Sequence, residues 1–141
     1  MQRSATAVWN GDLKTGSGHL TTGSGALDQR KYNFVSRFED GDETNPEELV
    51  AAAHAGCFSM ALGAELGKAG ITVQSVTTES KLTLDRVEGK PTITEITLHT
   101  HVVAKGADRE KIQAAAEGTK SGCVISRLLN APMTLTTQID V

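Results

Sequence analysis

The sequence predicts an α+β domain made of short strands with glycine turns, one long apolar helix, a long hairpin, two helical pieces and a closing strand. Three observations carry that prediction. Asn45, Pro46 and Glu48 occupy N-cap, N1 and N3 spacing just ahead of an apolar tract, the signature of a helix start. Residues 76–85 and 93–104 alternate apolar and polar side chains with the period of two of half-buried strands, and Glu88-Gly89-Lys90-Pro91 between them reads as a turn. The C-terminus alternates Met133, Leu135, Ile139 and Val141 against Thr134, Thr136, Gln138 and Asp140, a one-sided strand.

In chain order, residues 5–9, 19–22 and 32–35 are strand-like and form a meander, broken by Thr15-Gly16-Ser17-Gly18 and its echo Thr22-Gly23-Ser24-Gly25. No Gly-Lys-Ser/Thr tripeptide occurs, so these glycines do not make a phosphate loop. The acidic run Glu39-Asp40-Gly41-Asp42-Glu43 lacks a calcium-loop pattern and reads as an exposed loop. The helix from Asn45 extends to about Lys68 and ends at Gly70, and Glu48 is placed to close a capping box. Because it is apolar almost all the way round, both of its faces are expected to be covered by protein. It is mostly Ala and Gly and contains His54 and Glu65, so it reads as a buried helix and not as a membrane span.

The hairpin that follows points Val76, Leu82, Leu84, Ile96, Leu98 and Val102 inward and leaves His99 and His101 on a solvated face. Residues 108–120 have helical spacing at Ile112, Ala115, Ala116 and Thr119; Ser121-Gly122 interrupts them, and residues 123–129 form a second helical piece.

The chain has 141 residues, enough for one domain spanning 1–141 with its own core. With 38% hydrophobic residues, and 17 acidic against 14 basic, it fits neither a disordered chain nor a basic nucleic-acid binder. Residues 1–15 contain no apolar stretch behind a basic start, so a reducing cytoplasm is the expected compartment and both cysteines start as thiols.

Cys57 lies mid-helix, where a free cysteine serves equally well as a small core residue, and too far from the helix end to be activated by its dipole. Cys123 opens a helical piece, where free N–H groups favour a thiolate. His54 and Cys57, three apart on one helical face, could join Cys123 as metal ligands or act as a Cys-His nucleophile pair, but no further partner is identifiable. Any cation acting on Cys57 must come from elsewhere in the chain, and spacing does not choose among the six arginines.

At Arg37-Phe38-Glu39, Thr44-Asn45-Pro46-Glu47-Glu48-Leu49, Ala52-Ala53-His54-Ala55-Gly56-Cys57-Phe58-Ser59-Met60-Ala61-Leu62 and Ser121-Gly122-Cys123-Val124-Ile125-Ser126 the chain resembles the osmotically inducible protein C (OsmC) family. The resemblance also takes in Trp9-Asn10-Gly11-Asp12-Leu13, so it covers nearly the whole chain, and it is to the OsmC subgroup more than to the organic hydroperoxide resistance proteins. It implies an OsmC-like fold of antiparallel sheets around a long buried central helix, in an intertwined homodimer with its sites at the interface. The implied activity is that of a thiol-dependent peroxidase that reduces organic hydroperoxides, and hydrogen peroxide less efficiently, in oxidative and osmotic stress.

By motif position the resemblance makes Cys57 the peroxidatic cysteine, Cys123 the resolving cysteine, Arg37 the activating cation and Glu47 the carboxylate that holds the arginine. It implies no metal or bound cofactor, and electrons from an external dithiol such as dihydrolipoyl groups. Glu47 and Cys57 are ten residues apart on one helix, about 15 Å along its axis. Either the long arginine bridges part of that span or, the reading preferred here, the carboxylate supporting Arg37 near Cys57 comes from the partner subunit, with the two central helices packed antiparallel. Two other readings use the same residues: a non-catalytic module holding a hydrophobic ligand, and a cysteine redox sensor.

Overall fold

A three-stranded antiparallel meander opens the chain: β1 (Ala5–Asn10), β2 (Ser17–Thr22) and β3 (Arg30–Asn33), in that spatial order. Asp12 makes the first turn, its Oδ1 accepting from the N–H groups of Lys14 at 2.8 Å and Thr15 at 2.9 Å. Gly18 lies beneath the Tyr32 ring, where an added Cβ would come within 2.5 Å, and Trp9 packs on Tyr32 with ring centroids 5.3 Å apart.

The third strand lies two residues earlier than its residues predict. Asn33 ends it by capping α1 (Phe34–Phe38): Asn33 Oδ1 accepts from the Ser36 N–H at 2.8 Å, and Ser36 Oγ accepts from the Asn33 N–H at 3.0 Å. That reciprocal box outweighs the strand preference of Phe34 and Val35. The loop to the next helix is tied back by Ser36, whose Oγ donates to the Thr44 carbonyl at 3.0 Å, and by Asn45, whose Nδ2 donates to the Ser36 carbonyl at 2.9 Å.

Helix α2 (Pro46–Lys68) starts where predicted, with Asn45 Oδ1 accepting from the Glu48 N–H at 2.8 Å. The Glu48 carboxylate accepts from the Thr44 hydroxyl instead of returning to the cap N–H, so the box is half closed. At the far end Gly70 takes φ +73° and the Ile71 N–H reaches the Leu66 carbonyl at 2.9 Å, a Schellman-type stop.

The computed structural model describes residues 1–141, and these divide into two compact units, Met1–Leu49 and Val50–Val141. In the second, β4 (Ser75–Val87) runs antiparallel to β5 (Lys90–Val103) through a two-residue turn with Glu88 and Gly89 both at positive φ, as a type I′ hairpin requires. Lys90 and Pro91 therefore belong to β5, paired with Val87 and Arg86, and not to the turn. Strand β6 (Met133–Asp140) lies on the other side of β5 and runs parallel to it, so this sheet is mixed where antiparallel sheets were expected. The reason is the helical crossover between them: Asp108 caps α3 (Arg109–Gly122), and α4 (Val124–Leu128) follows at once. The helix break falls at Cys123, one residue beyond the expected Ser121-Gly122 interruption.

Helix α2 lays one stripe on the core, with His54, Phe58, Leu62 and Leu66 all at 0% exposure. Leu98, Val102, Ile112, Ala116 and Ile139 close over that stripe. The other side of α2 is not covered by its own chain, and Met60 is 80% exposed there. The helix is apolar all round because its outer positions are Ala and Gly, which raise hydropathy while exposing little area. Leu62→Ala is expected to destabilise the chain by about 3 kcal/mol through lost transfer energy and the cavity left behind, read as a lower denaturant midpoint.

Candidate active site

Two i,i+3 pairs meet in the second unit. Helix α2 presents His54 and Cys57 on one face, and the start of α4 presents Cys123 and Ser126. The Cys57 and Cys123 sulfurs lie 2.7 Å apart as free thiols, and His54 Nε2 lies 2.8 Å from Ser126 Oγ. Cys123 is 1% exposed and Cys57 half-buried. The two sulfurs, 66 residues apart in sequence, need to close by only about 0.7 Å to reach disulfide length.

His54 directs both ring nitrogens to hydroxyls: Nε2 to Ser126 and Nδ1 to Ser80 Oγ at 3.3 Å. It is therefore not paired with a thiol, and no three His, Cys, Asp or Glu side chains converge as a metal cluster. Beside it a polar seam crosses the core, with Ser59 Oγ donating to Thr78 Oγ1 at 2.8 Å and Thr78 meeting Thr100 at 3.0 Å. A groove of about 550 Å³ between α2 and α3 is lined by Ala61, Ala64, Ala115, Gly118 and Cys123, with the charged Glu65 and Lys111 also on its wall.

Burial pushes the Cys57 thiol up, and the Cys123 sulfur beside it raises it further, against a smaller pull from the Ile125 and Val124 N–H groups. For Cys123 burial acts in the same direction, but it is outweighed by the bond from Cys57 and by the N–H groups of Ser126 and Ile125 with the Ser126 hydroxyl, so its thiol is lowered. Cys123 is the N-cap of α4, without a side-chain cap bond.

In the first unit Arg37 and Glu47 form a two-pronged ion pair: Nη2 to Oε1 at 2.8 Å, and Nε to Oε1 at 3.1 Å and to Oε2 at 3.3 Å. Arg37 sits in the last turn of α1 and Glu47 in the first turn of α2, and the tied-back loop between them brings the two together. Glu47 thus pairs with the arginine of its own chain. The Arg37 side chain remains 38% exposed, with Nη1 outside the pair.

Sequence reasoning missed Ser126 and Ser80. A signal for Ser126 was present, since Cys123 and Ser126 repeat the three-residue spacing of His54 and Cys57. Ser80 carried none, because its contact depends on how α2 lies on β4. On the outer face of the sheet, His101 Nε2 meets Asp140 Oδ2 at 2.8 Å and holds that carboxyl below its usual range.

A family model described as OsmC-like protein matches residues 39–138. The chain is 42% identical over 139 residues to the Peroxiredoxin OsmC of Escherichia coli K12, covering 99% of this chain and 97% of that protein. Two solved structures share the fold. An organic hydroperoxide resistance protein OsmC of Legionella pneumophila has TM-score 0.67 and 22% identity over 98% and 97% of the two chains. The organic hydroperoxide resistance protein OhrB of Bacillus subtilis has TM-score 0.65 and 24% identity over 97% and 98%.

Burial holds the His54 pKa below its ordinary value of 6.5. The unfolded chain then binds more protons than the folded one as pH falls through 6.5, so stability present above that pH is lost below it. Urea midpoints measured from pH 7.5 to 5 are expected to fall less steeply for His54→Gln than for wild type.

Proposed function

The chain belongs to the OsmC-like protein family and is a peroxiredoxin-type enzyme, and from that premise we propose that it reduces organic hydroperoxides to alcohols at Cys57. The observation that carries the proposal is the pair of free thiols 2.7 Å apart, one half-buried on α2 and one buried at the start of α4. A Cys57 thiolate attacks the peroxide O–O bond, the alcohol leaves, and Cys57 becomes a sulfenic acid. Cys123 condenses with it, releasing water and forming the Cys57–Cys123 disulfide. An external dithiol, such as dihydrolipoyl groups, then restores both thiols, and the cycle needs no metal or bound cofactor.

Burial works against the Cys57 thiolate within its own unit, so the peroxidatic step requires a cation. Arg37 is the candidate, fixed by Glu47 with its Nη1 donors left to lower the thiol pKa and hold the peroxide oxygens as charge develops. The groove walled by Ala and Gly beside Cys123 suits an alkyl substituent better than a small polar peroxide. Phe58 and Leu62 are core residues and leave that preference to the groove.

Met60, Val124 and Leu128, exposed by 80%, 71% and 73%, flank the segments that bear the cysteines, and this supports a homodimer that covers them and completes the site at its interface. In this arrangement the Arg37–Glu47 pair of one subunit serves Cys57 of the other. The working compartment is the reducing cytoplasm, and the physiological role is defence against oxidative and osmotic stress.

Intact mass of the denatured protein with trapped thiols, before and after one equivalent of an organic hydroperoxide, tests the cycle. Wild type is expected to lose two hydrogens and both thiols, and Cys57→Ser to form no disulfide; survival of both thiols in wild type would instead favour a ligand-binding module. Arg37→Ala is expected to slow Cys57 oxidation about 100-fold with little change in the denaturation midpoint, followed by stopped-flow peroxide consumption. Mixed dimers of Arg37→Ala and Cys57→Ser subunits are expected to recover activity that neither parent has, because one intact arginine then faces one intact cysteine; no recovery would place both groups in the same chain.

A further inference from the structure

The contact between His54 and Ser126 lies one helical turn from the contact between the sulfurs. Cys57 meets Cys123 and His54 meets Ser126, so α4 runs against α2 in the opposite chain direction with two rungs three residues apart. We propose that Ser126, held by His54, is a positioning residue for disulfide closure: the rung sets the register that brings the Cys123 sulfur onto Cys57 and turns the Ser126 hydroxyl toward that sulfur. The inference deepens the peroxidase reading and rests on it.

Packing does not require a histidine here. His54 continues the stripe of Phe58, Leu62 and Leu66 at 0% exposure, a position where leucine would extend the core and an imidazole costs stability unless both nitrogens are bonded. Its partners are the hydroxyls of Ser80 and Ser126, and burial is the sole influence on its titration, so the ring stays neutral at neutral pH. In the tautomer that carries its proton on Nε2, Ser80 donates to Nδ1 and the Nε2–H donates to Ser126 Oγ, which leaves the Ser126 proton for a third acceptor. Cys123 Sγ stands three residues back, across the first turn of α4, and the Ser126 side chain is among the groups that lower its thiol pKa.

In closure the Cys123 sulfur attacks Cys57 Sγ of the sulfenic acid. The S–S bond forms as the S–O bond breaks, and the hydroxyl leaves as water with the proton of the Cys123 thiol. Turned toward Cys123, the Ser126 hydroxyl steadies the charge on the attacking sulfur, and the fixed register keeps that sulfur in line.

Rapid mixing with a stoichiometric organic hydroperoxide, followed by acid quench and intact mass, separates Cys57 oxidation from closure. For Ser126→Ala we expect oxidation within twofold of wild type and closure about tenfold slower. The sulfenic acid then accumulates, trapped by a 1,3-dione, and excess peroxide drives it to the sulfinic acid. Ser126→Thr keeps the hydroxyl and is expected to restore closure. Should Ser126→Ala not fold, His54→Leu removes the rung from the other side, extends the apolar stripe and is expected to show the same slow closure. Closure at the wild-type rate in the folded variant, or oxidation and closure slowed equally, would overturn the positioning role. Absence of both sulfenic acid and disulfide in wild type would overturn the peroxidase cycle itself.

Discussion

The burial of one narrow stripe of α2 against the mixed sheet is the constraint on which the second unit depends. Four residues at i,i+4 spacing, His54, Phe58, Leu62 and Leu66, are withdrawn completely from water, and Leu98, Val102, Ile112 and Ile139 come together over them. At roughly 25 cal/mol for each Å² of apolar surface, Phe58, Leu62 and Leu66 alone contribute several kcal/mol, a large share of a typical domain's net stability. That burial fixes the rotation of the helix about its axis. Since Cys57 is one residue before Phe58, the same rotation aims its sulfur at the edge of the core, half-buried and facing Cys123.

The chemistry follows from two electrostatic environments of opposite sign. At the cysteines, burial opposes a thiolate on Cys57, while the N–H groups at the start of α4 draw charge toward Cys123. At Arg37 a cation is held by one carboxylate through two nitrogens, and part of its guanidinium stays open to solvent. In the proposed cycle the peroxidatic thiol draws on the Arg37 cation and Cys123 acts as the resolving sulfur.

Much of this was legible in the residues. The Asn45-Pro46 start, the alternation of β4 and β5 and the Asp108 helix were readable because each rests on local physics: a cap, a period of two, a stretch of helical spacing. What was misread needed tertiary information. Phe34 and Val35 look like strand until the reciprocal Asn33–Ser36 box is seen, and β6 could not be known to run parallel until α3 and α4 were seen to form a crossover. The apolar periphery of α2 looked buried because hydropathy does not distinguish a small residue from a covered one. At the site, family motifs singled out Cys57, Cys123, Arg37 and Glu47, whereas periodicity could not choose an arginine. The Arg37–Glu47 pairing within one chain depends on a short loop whose ties are side chain to backbone and have no sequence period.

The parallel pairing of β5 with β6 has a consequence for the order in which this chain acquires structure. The β4–β5 hairpin closes through a two-residue turn and can form as soon as both strands exist, whereas β6 can dock only after the crossover of residues 104–132 has been made and folded back. Cys123 lies inside that crossover, 66 residues from Cys57, so the two sulfurs meet only once the crossover has folded back onto α2. During synthesis Cys57 emerges first and is without a partner until Cys123 follows.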